Sequence, residues 1–435
     1  MLSIHIPNNN ITERKYVIDI LLKNFLGVDY KLEIDYNSDK YSIKFNNSEL
    51  LFVDSFFNNY PEPLSYLKYR ALPQDVTLIK NEFIPEEDLP VLFGDNQLLV
   101  TENRIESGLD IFASSFFLLS RWEEYVNESR DKHTRFQGKD SIAYKNGFLH
   151  RPLVNEYVET LWKMLLKLGY PGKRKKKEFG MVLTHDVDGL RYVSPKTIAG
   201  DVIKRRKLIV ALNNSKYLFQ KDPYDTFDFL MDISERLNVK SRFYLMSTNS
   251  RMDYDTGYYL NTRWFRSRIR RIKDRGHILG FHPGYYTYMD LARWSQEKIV
   301  LEVALRQEIS EGRQHFLRFD VPRTFTIWEK NSMCIDSTLG YADMEGFRCG
   351  TGDEFTVFDF LQRKSLKLKE RPLIIMDGTL LDYRNYSKEK VMDIFRYYAS
   401  IGRKYNTTIT ILFHNSSFFG EWERYDSVYK ELLNM

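Results

Sequence analysis

Leu183-Thr184-His185-Asp186-Val187-Asp188 closes an apolar run that starts at Phe179, and it places two carboxylates two residues apart. An apolar run of that length reads as a buried strand, and its carboxyl end is where the active site of an α/β protein opens. On a continuing strand Asp186 and Asp188 share one face, because side chains alternate with a period of two. One carboxylate of such a pair can hold a divalent metal while the other stays available as a base. The plainer reading is a pair of turn aspartates ahead of Gly189. A second stretch, Gly276-His277-Ile278-Leu279-Gly280-Phe281-His282, brings an imidazole to another apolar strand end, between glycines that permit close backbone approach. Two acids and a histidine at strand ends suggest metal-assisted hydrolysis.

Working outward, further polar groups stand at the ends of apolar runs. His414 ends Ile409-Thr410-Ile411-Leu412-Phe413, where a general acid would be wanted. Arg318, within Leu317-Arg318-Phe319-Asp320-Val321-Pro322, can orient a carboxylate by a fork contact. Asp377 follows Leu373-Ile374-Ile375-Met376 in the same way. Each has a bland structural alternative. Several at successive strand ends are harder to assign to chance.

The bulk properties narrow the class. At 435 residues the chain is too long for one ordinary domain, and 43% hydrophobic residues supply a large core. Phe (30) and Tyr (29) are abundant, which fits aromatic packing or a sugar-stacking cleft. The net charge of +5 is modest. Its densest clusters, Lys173 to Lys177 and Lys204 to Lys207, read as solvated linkers or faces; a nucleic-acid or anionic-membrane role has only weak support in them, and a nucleic-acid partner is not expected. Cys334 and Cys349 have neither disulfide-framework nor zinc-ribbon spacing. The N-terminus lacks a signal-peptide pattern, and no run approaches the ~18 apolar residues of a membrane span. The expectation is a cytoplasmic protein with no integral membrane segment.

Residues 1–170 read as a mixed α+β domain. A helix is expected over Glu13 to Phe25, strands at Tyr30 to Ile34, Tyr41 to Phe45 and Glu49 to Val53, and helices over Ile111 to Tyr125 and Val154 to Leu168. Tyr170-Pro171-Gly172 and the basic run make 171–178 a linker. From residue 179 to 435 strands alternate with helices. The strands expected are Phe179 to Leu183, Ser241 to Met246, Ile278 to His282, His315 to Phe319, Leu373 to Met376 and Thr408 to Phe413. Arg191 to Asp222 looks like an insertion. That alternation implies a mainly parallel sheet, open or closed into a barrel, with active residues at its carboxyl ends.

The motifs together resemble those of the polysaccharide deacetylases of carbohydrate esterase family 4. Thr184 to Asp188 resembles the first motif, Gly276 to His282 the second, Arg318 to Pro322 a looser third, and Leu412-Phe413-His414 the last. The likeness spans residues 178 to 420. The whole chain is similar to a subgroup from bacterial surface-polysaccharide gene clusters that carries an extra N-terminal α+β domain. The stretches Ser115 to Tyr125, Arg151 to Tyr157 and Asp336 to Asp343 resemble it.

The resemblance implies an irregular (β/α) barrel and a metal-dependent removal of N-acetyl groups from an amino sugar of a surface polysaccharide or its precursor. By that likeness Asp186 is the base, Asp188 and His282 hold the metal, zinc in the first instance, and His414 is the acid. Arg318 tethers the base and Asp377 orients His414. The substrate implied is a carbohydrate. Two positions depart from the pattern: Pro283 stands where Ser or Thr is usual, and Tyr286 where a second histidine ligand is usual. The third ligand is open among His185, Tyr286 and the Asp343 loop. A metal-dependent glycosyltransferase and a sugar-binding scaffold without activity are the competing classes.

Overall fold

Apolar residues alternate at Leu2, Ile4 and Ile6, and all three are fully buried, so the first strand (β1, Leu2–Pro7) enters the middle of a sheet. The computed structural model describes residues 2–193, 198–199, 202–203, 206–247, 254–420 and 426–434, with side chains for all of these but 433 and 434. Beside β1 lie a parallel β2 (Tyr30–Asp35) and an antiparallel β3 (Lys40–Phe45). β4 (Ser48–Val53) pairs with β3. A short hairpin of β5 (Thr77–Ile79) and β6 (Leu89–Val91) stands apart, and β7 (Gly94–Val100) with β8 (Arg104–Leu109) completes the main sheet, in the order β2-β1-β3-β4-β8-β7.

The helix expected over Glu13 to Phe25 is α-helical from Ile11 to Ile18 and widens to a π-helix over Asp19–Leu26, closed by Gly27 at φ 68°. The helix expected over Ile111 to Tyr125 is two helices, Ile111–Ser120 and Trp122–Val126. The break is Arg121, left-handed at φ 56° and 1% exposed. Its guanidinium donates to Glu124 (2.8 Å) and to the Tyr341 hydroxyl (3.0 Å), and Arg348 donates to the same Glu124 (2.9 Å). A buried, mutually satisfied ionic group replaces helical continuity here. Around it Phe56 stacks on Trp122 (5.8 Å) and Tyr66 meets Phe116 edge-on (5.8 Å), so in this unit the abundant rings form core.

The chain enters a second compact unit at Met181. β9 (Gly180–Val187) runs past the expected Leu183 end, carrying Asp186 inside the strand and Asp188 just beyond it. β10 (Arg242–Leu245) and β11 (Ile278–Phe281) add in parallel, and β12 (Glu311–Gly312) is a two-residue stub level with Phe281. Helices Phe227–Arg236, Arg263–Asp274 and Leu291–Leu305 lie between the strands. The insertion expected at Arg191 to Asp222 carries a helix, Leu208–Ser215, and falls partly outside the described residues.

From Phe319 to Ile374 the chain rejoins the first unit and builds β13 (Ile335–Asp336), β14 (Phe355–Asp359) and β15 (Lys364–Glu370). β14 and β15 form an antiparallel pair that the sequence reading did not foresee. The second unit resumes with β16 (Ile375–Met376) and, after the helix Lys388–Tyr405, ends its sheet with β17 (Thr408–Leu412). The first unit therefore comprises Met1–Gly180, Phe319–Ile374 and Ile401–Thr408, which differs from the linear division at 171–178. Residues 173–177 take no regular structure but are anchored, Arg174 to Glu159 (2.5 Å) and Lys177 to Asp353 (2.6 Å).

The described strands do not form a closed sheet. The second unit's strands run β12-β11-β10-β9-β17-β16, and among the described residues nothing joins β12 to β16. β12 and β16 are each two residues long. After β12 the chain passes through Phe316 and Leu317, both left-handed at φ 60° and 54°, which ends the extended backbone there. The expected strand His315 to Phe319 is accordingly a single helical turn, His315–Leu317. Among the described residues no helix is long and apolar enough to cross a membrane.

Candidate metal centre

Register brings the polar residues together. Val187 is level with Leu245, Leu245 with Phe281, and Phe281 with Gly312. Asp188, His282 and Arg313 are therefore the next residues on parallel neighbours, at one end of the sheet. On the other side of β9, Met376 pairs with Leu412, which puts Asp377 and His414 just beyond the same edge.

Asp188, His282 and His315 each aim a ligand atom into one space, all within 4.8 Å of one another. His282 Nε2 lies 3.2 Å from Asp188 Oδ1, and His315 Nε2 lies 3.7 Å from Asp188 Oδ2. The far side of each ring is engaged. His282 Nδ1 meets the Arg313 carbonyl (2.7 Å), and His315 Nδ1 meets the Asp255 carboxylate (2.8 Å). Nδ1 must donate to these acceptors, so the lone pair of each Nε2 points inward, the arrangement a metal ligand requires. His282 Nε2 and Asp188 Oδ1 are buried with no hydrogen-bond partner. Buried polar atoms are seldom left so, and a bound cation would satisfy both. One carboxylate and two imidazoles make a three-ligand donor set, which is what a catalytic zinc normally takes. The residues present fit the metal.

Asp188 and the imidazoles around it act on one another's charge. Burial alone would raise its pKa, but His315, His282 and His414 hold it well below the usual carboxylate range. His315 is pushed up to about 9, with Asp188 and Asp255 outweighing the lowering effect of burial.

Asp186 is 2% exposed and accepts from Arg313 Nη1 (2.8 Å), which also reaches Thr184 Oγ1 (2.9 Å). Its other oxygen lies 3.7 Å from His282 Nε2. The role expected of Arg318 is thus corrected: the guanidinium on Asp186 is that of Arg313. Arg318 donates to the Tyr285 carbonyl (2.6 Å) and lies against the rings of Tyr285 (3.9 Å) and Tyr288 (4.0 Å). The physical reason is the early end of β12, which moves the strand-end position from 318 to 313.

His414 Nε2 faces Asp188 Oδ2 at 3.7 Å, while its Nδ1 donates to Asp377 Oδ1 at 2.8 Å. Asp377 is fully buried and also accepts from the His414 backbone N–H (2.7 Å) and from the Ser417 hydroxyl. Burial would lower the pKa of His414, but Asp377 and Asp188 push it up to about 10.

The candidates for a third ligand are corrected as well. His185 points to the opposite face of β9, buried between the Phe413 carbonyl (2.9 Å) and Ser241 Oγ (3.2 Å). Tyr286 is 37% exposed with Arg293 over its ring. Asp343 accepts the backbone N–H groups of Gly138 and Lys139 in the other unit. The third residue that could hold an ion beside Asp188 and His282 is His315. The usable signal was Gly312, where an added Cβ would sit 2.0 Å from the Phe281 carbonyl. A glycine under that constraint marks where β12 closes on β11, and so where Arg313 and His315 begin.

A protein family described only as a family of unknown function (DUF7033) matches residues 2–170. No curated protein matches the chain. Among solved structures, a putative polysaccharide deacetylase from Mycobacterium smegmatis is 16% identical with a TM-score of 0.40, over 60% of this chain and 86% of that one. A mutant of a CE4 family pseudoenzyme with restored enzymatic activity is 12% identical with a TM-score of 0.30, over 59% of this chain and 64% of that one. A further mutant of that pseudoenzyme is 12% identical with a TM-score of 0.30, over 59% of this chain and 63% of that one. The chain thus spans less than two thirds of either pseudoenzyme chain.

Proposed function

We propose that the chain is a metal-dependent hydrolase that removes N-acetyl groups from an amino sugar of a bacterial surface polysaccharide or its precursor. The observation that carries this reading is the convergence of three ligand atoms, from Asp188, His282 and His315, flanked by a carboxylate on one side and an imidazole on the other. A divalent ion held there, zinc in the first instance, would supply Lewis-acid charge at the acetyl carbonyl.

The chain's own residues account for the protons. Asp186, held by Arg313, takes a proton from the attacking water as the new C–O bond forms. His414, oriented by Asp377, gives a proton to the amide nitrogen as the C–N bond breaks, leaving acetate and a free amine. The base and the acid are thus two separate groups, a carboxylate near His282 and an imidazole near Asp188.

The test is acetate release by the metal-loaded chain from N-acetylated glycans and nucleotide sugars. Asp186→Asn is expected to abolish release while metal content stays near normal. Stoichiometric metal without acetate release from any of these would replace the reading with that of a sugar-binding scaffold.

A further inference from the structure

The excursion between β9 and the helix Phe227–Arg236 has no part in the chemistry above, yet its composition is unlike the rest of the surface. Residues 202–221 contain six basic residues and no acidic one. Of the described apolar residues there, Ile203 is 75% exposed, Leu208 64%, Ile209 76%, Leu212 74% and Phe219 90%. Only Ala211 of the helix Leu208–Ser215 is buried. Soluble proteins seldom leave so many large apolar side chains contiguous in water unless something covers them.

The charge identifies what covers them. A second copy of this face would bring its four described cations, Arg206, Lys207, Lys216 and Lys221, against the same four, which disfavours a two-fold self-contact. An anionic lipid surface offers both complements at once: headgroups for Arg206, Lys207, Lys216 and Lys221, and hydrocarbon within reach of the isoleucines, leucines and phenylalanine. We propose that residues 206–221, with Ile203, dock the protein peripherally on an anionic lipid bilayer, apolar side chains inserted and basic side chains at headgroup level.

The root of the excursion ties this surface to the metal centre. Asp222 accepts the backbone N–H groups of Tyr192 (2.9 Å) and Val193 (3.4 Å), pinching the loop shut. Asn415 bonds the carbonyls of Gly189 (2.9 Å) and Tyr224 (3.0 Å). Gly189 follows Asp188, and Asn415 follows His414. The excursion therefore rises from the rim that carries the candidate ligand and acid. A consequence that rests on the proposed reaction is that the glycan is met at the lipid surface.

The experiment is flotation of the full chain with vesicles of phosphatidylcholine alone, or of two parts phosphatidylcholine to one part phosphatidylglycerol. No substrate is involved, so the outcome does not depend on hydrolysis. Binding is expected to the anionic vesicles only and to weaken as salt rises. The pair Arg206→Glu and Lys207→Glu should weaken it about thirtyfold, about fivefold for each cation lost. Ile209→Glu with Leu212→Glu should abolish it, circular dichroism and metal content being unchanged because both side chains face solvent. Failure of the unmodified chain to float with anionic vesicles, or flotation unaffected by either pair, overturns the proposal. So does light scattering that shows a dimer dispersed by Ile209→Glu with Leu212→Glu, which would assign the face to a second copy.

Discussion

Replacing Asp255 by asparagine removes one negative charge 2.8 Å from His315 Nδ1 and changes almost nothing in shape. The carboxylate also receives the Tyr285 N–H (3.0 Å), a contact the asparagine carbonyl oxygen can keep. What is lost is the charge-assisted bond that holds the His315 ring and enriches its inward lone pair. Hydrogen bonds to charged groups contribute about 1.5–3 kcal/mol net. Loss of such an outer partner typically weakens a metal site about 10–100-fold, or about 1.4–2.7 kcal/mol. The two estimates agree, so a zinc dissociation constant raised between ten- and a hundredfold is expected. Competition against a chelator of known affinity measures it, and far-UV circular dichroism checks the fold. A change below twofold would refute the placement of His315 as a ligand supported by Asp255.

Further substitutions separate the residues the strand ends bring together from their neighbours. His315→Ala should abolish stoichiometric metal, whereas Tyr286→Phe should leave it in place, as read by metal analysis of purified protein. Arg313→Met leaves the buried Asp186 without its guanidinium and should lower kcat about a hundredfold with metal retained, while Arg318→Met should lower kcat far less. His185 is buried neutral, with burial as the main cause and its pKa depressed from 6.5 to about 4. The unfolded chain gains that proton first as the medium is acidified, so stability is full above pH 6.5 and is lost as pH falls toward 4. The gap corresponds to about 3 kcal/mol at about 1.4 kcal/mol per pH unit. Urea melts across that window should show the loss, and His185→Asn, which keeps a donor for the Phe413 carbonyl, should flatten it.

How much of this was legible in the sequence depends on strand length. β9 is eight residues, so its alternation and its terminal carboxylates are visible without any partner. His282 and His414 likewise follow apolar runs of four or more residues. β12 is two residues and carries no periodicity, while Phe316-Leu317-Arg318-Phe319 next to it mimics a strand. The apolar count drew the strand end to 318 and hid Arg313 and His315. Sheet closure and the return of residues 319–374 to the first unit depend on pairing between segments hundreds of residues apart. Local composition does not encode such pairing, and the β14–β15 hairpin looks the same in sequence whichever sheet it joins.

The route of the chain between its two units bears on how such a protein can be inherited or dissected. A module that travels between genes must be excisable at one or two peptide bonds. Here three separated segments make up the first unit, and Glu13 near one end of the chain pairs with Arg363 near the other. Cutting at 171–178 would take the helices Ile11–Ile18 and Ile111–Ser120 away from β15 and β14 and leave Arg348 without Glu124. A cut there therefore parts buried partners that belong to one and the same unit.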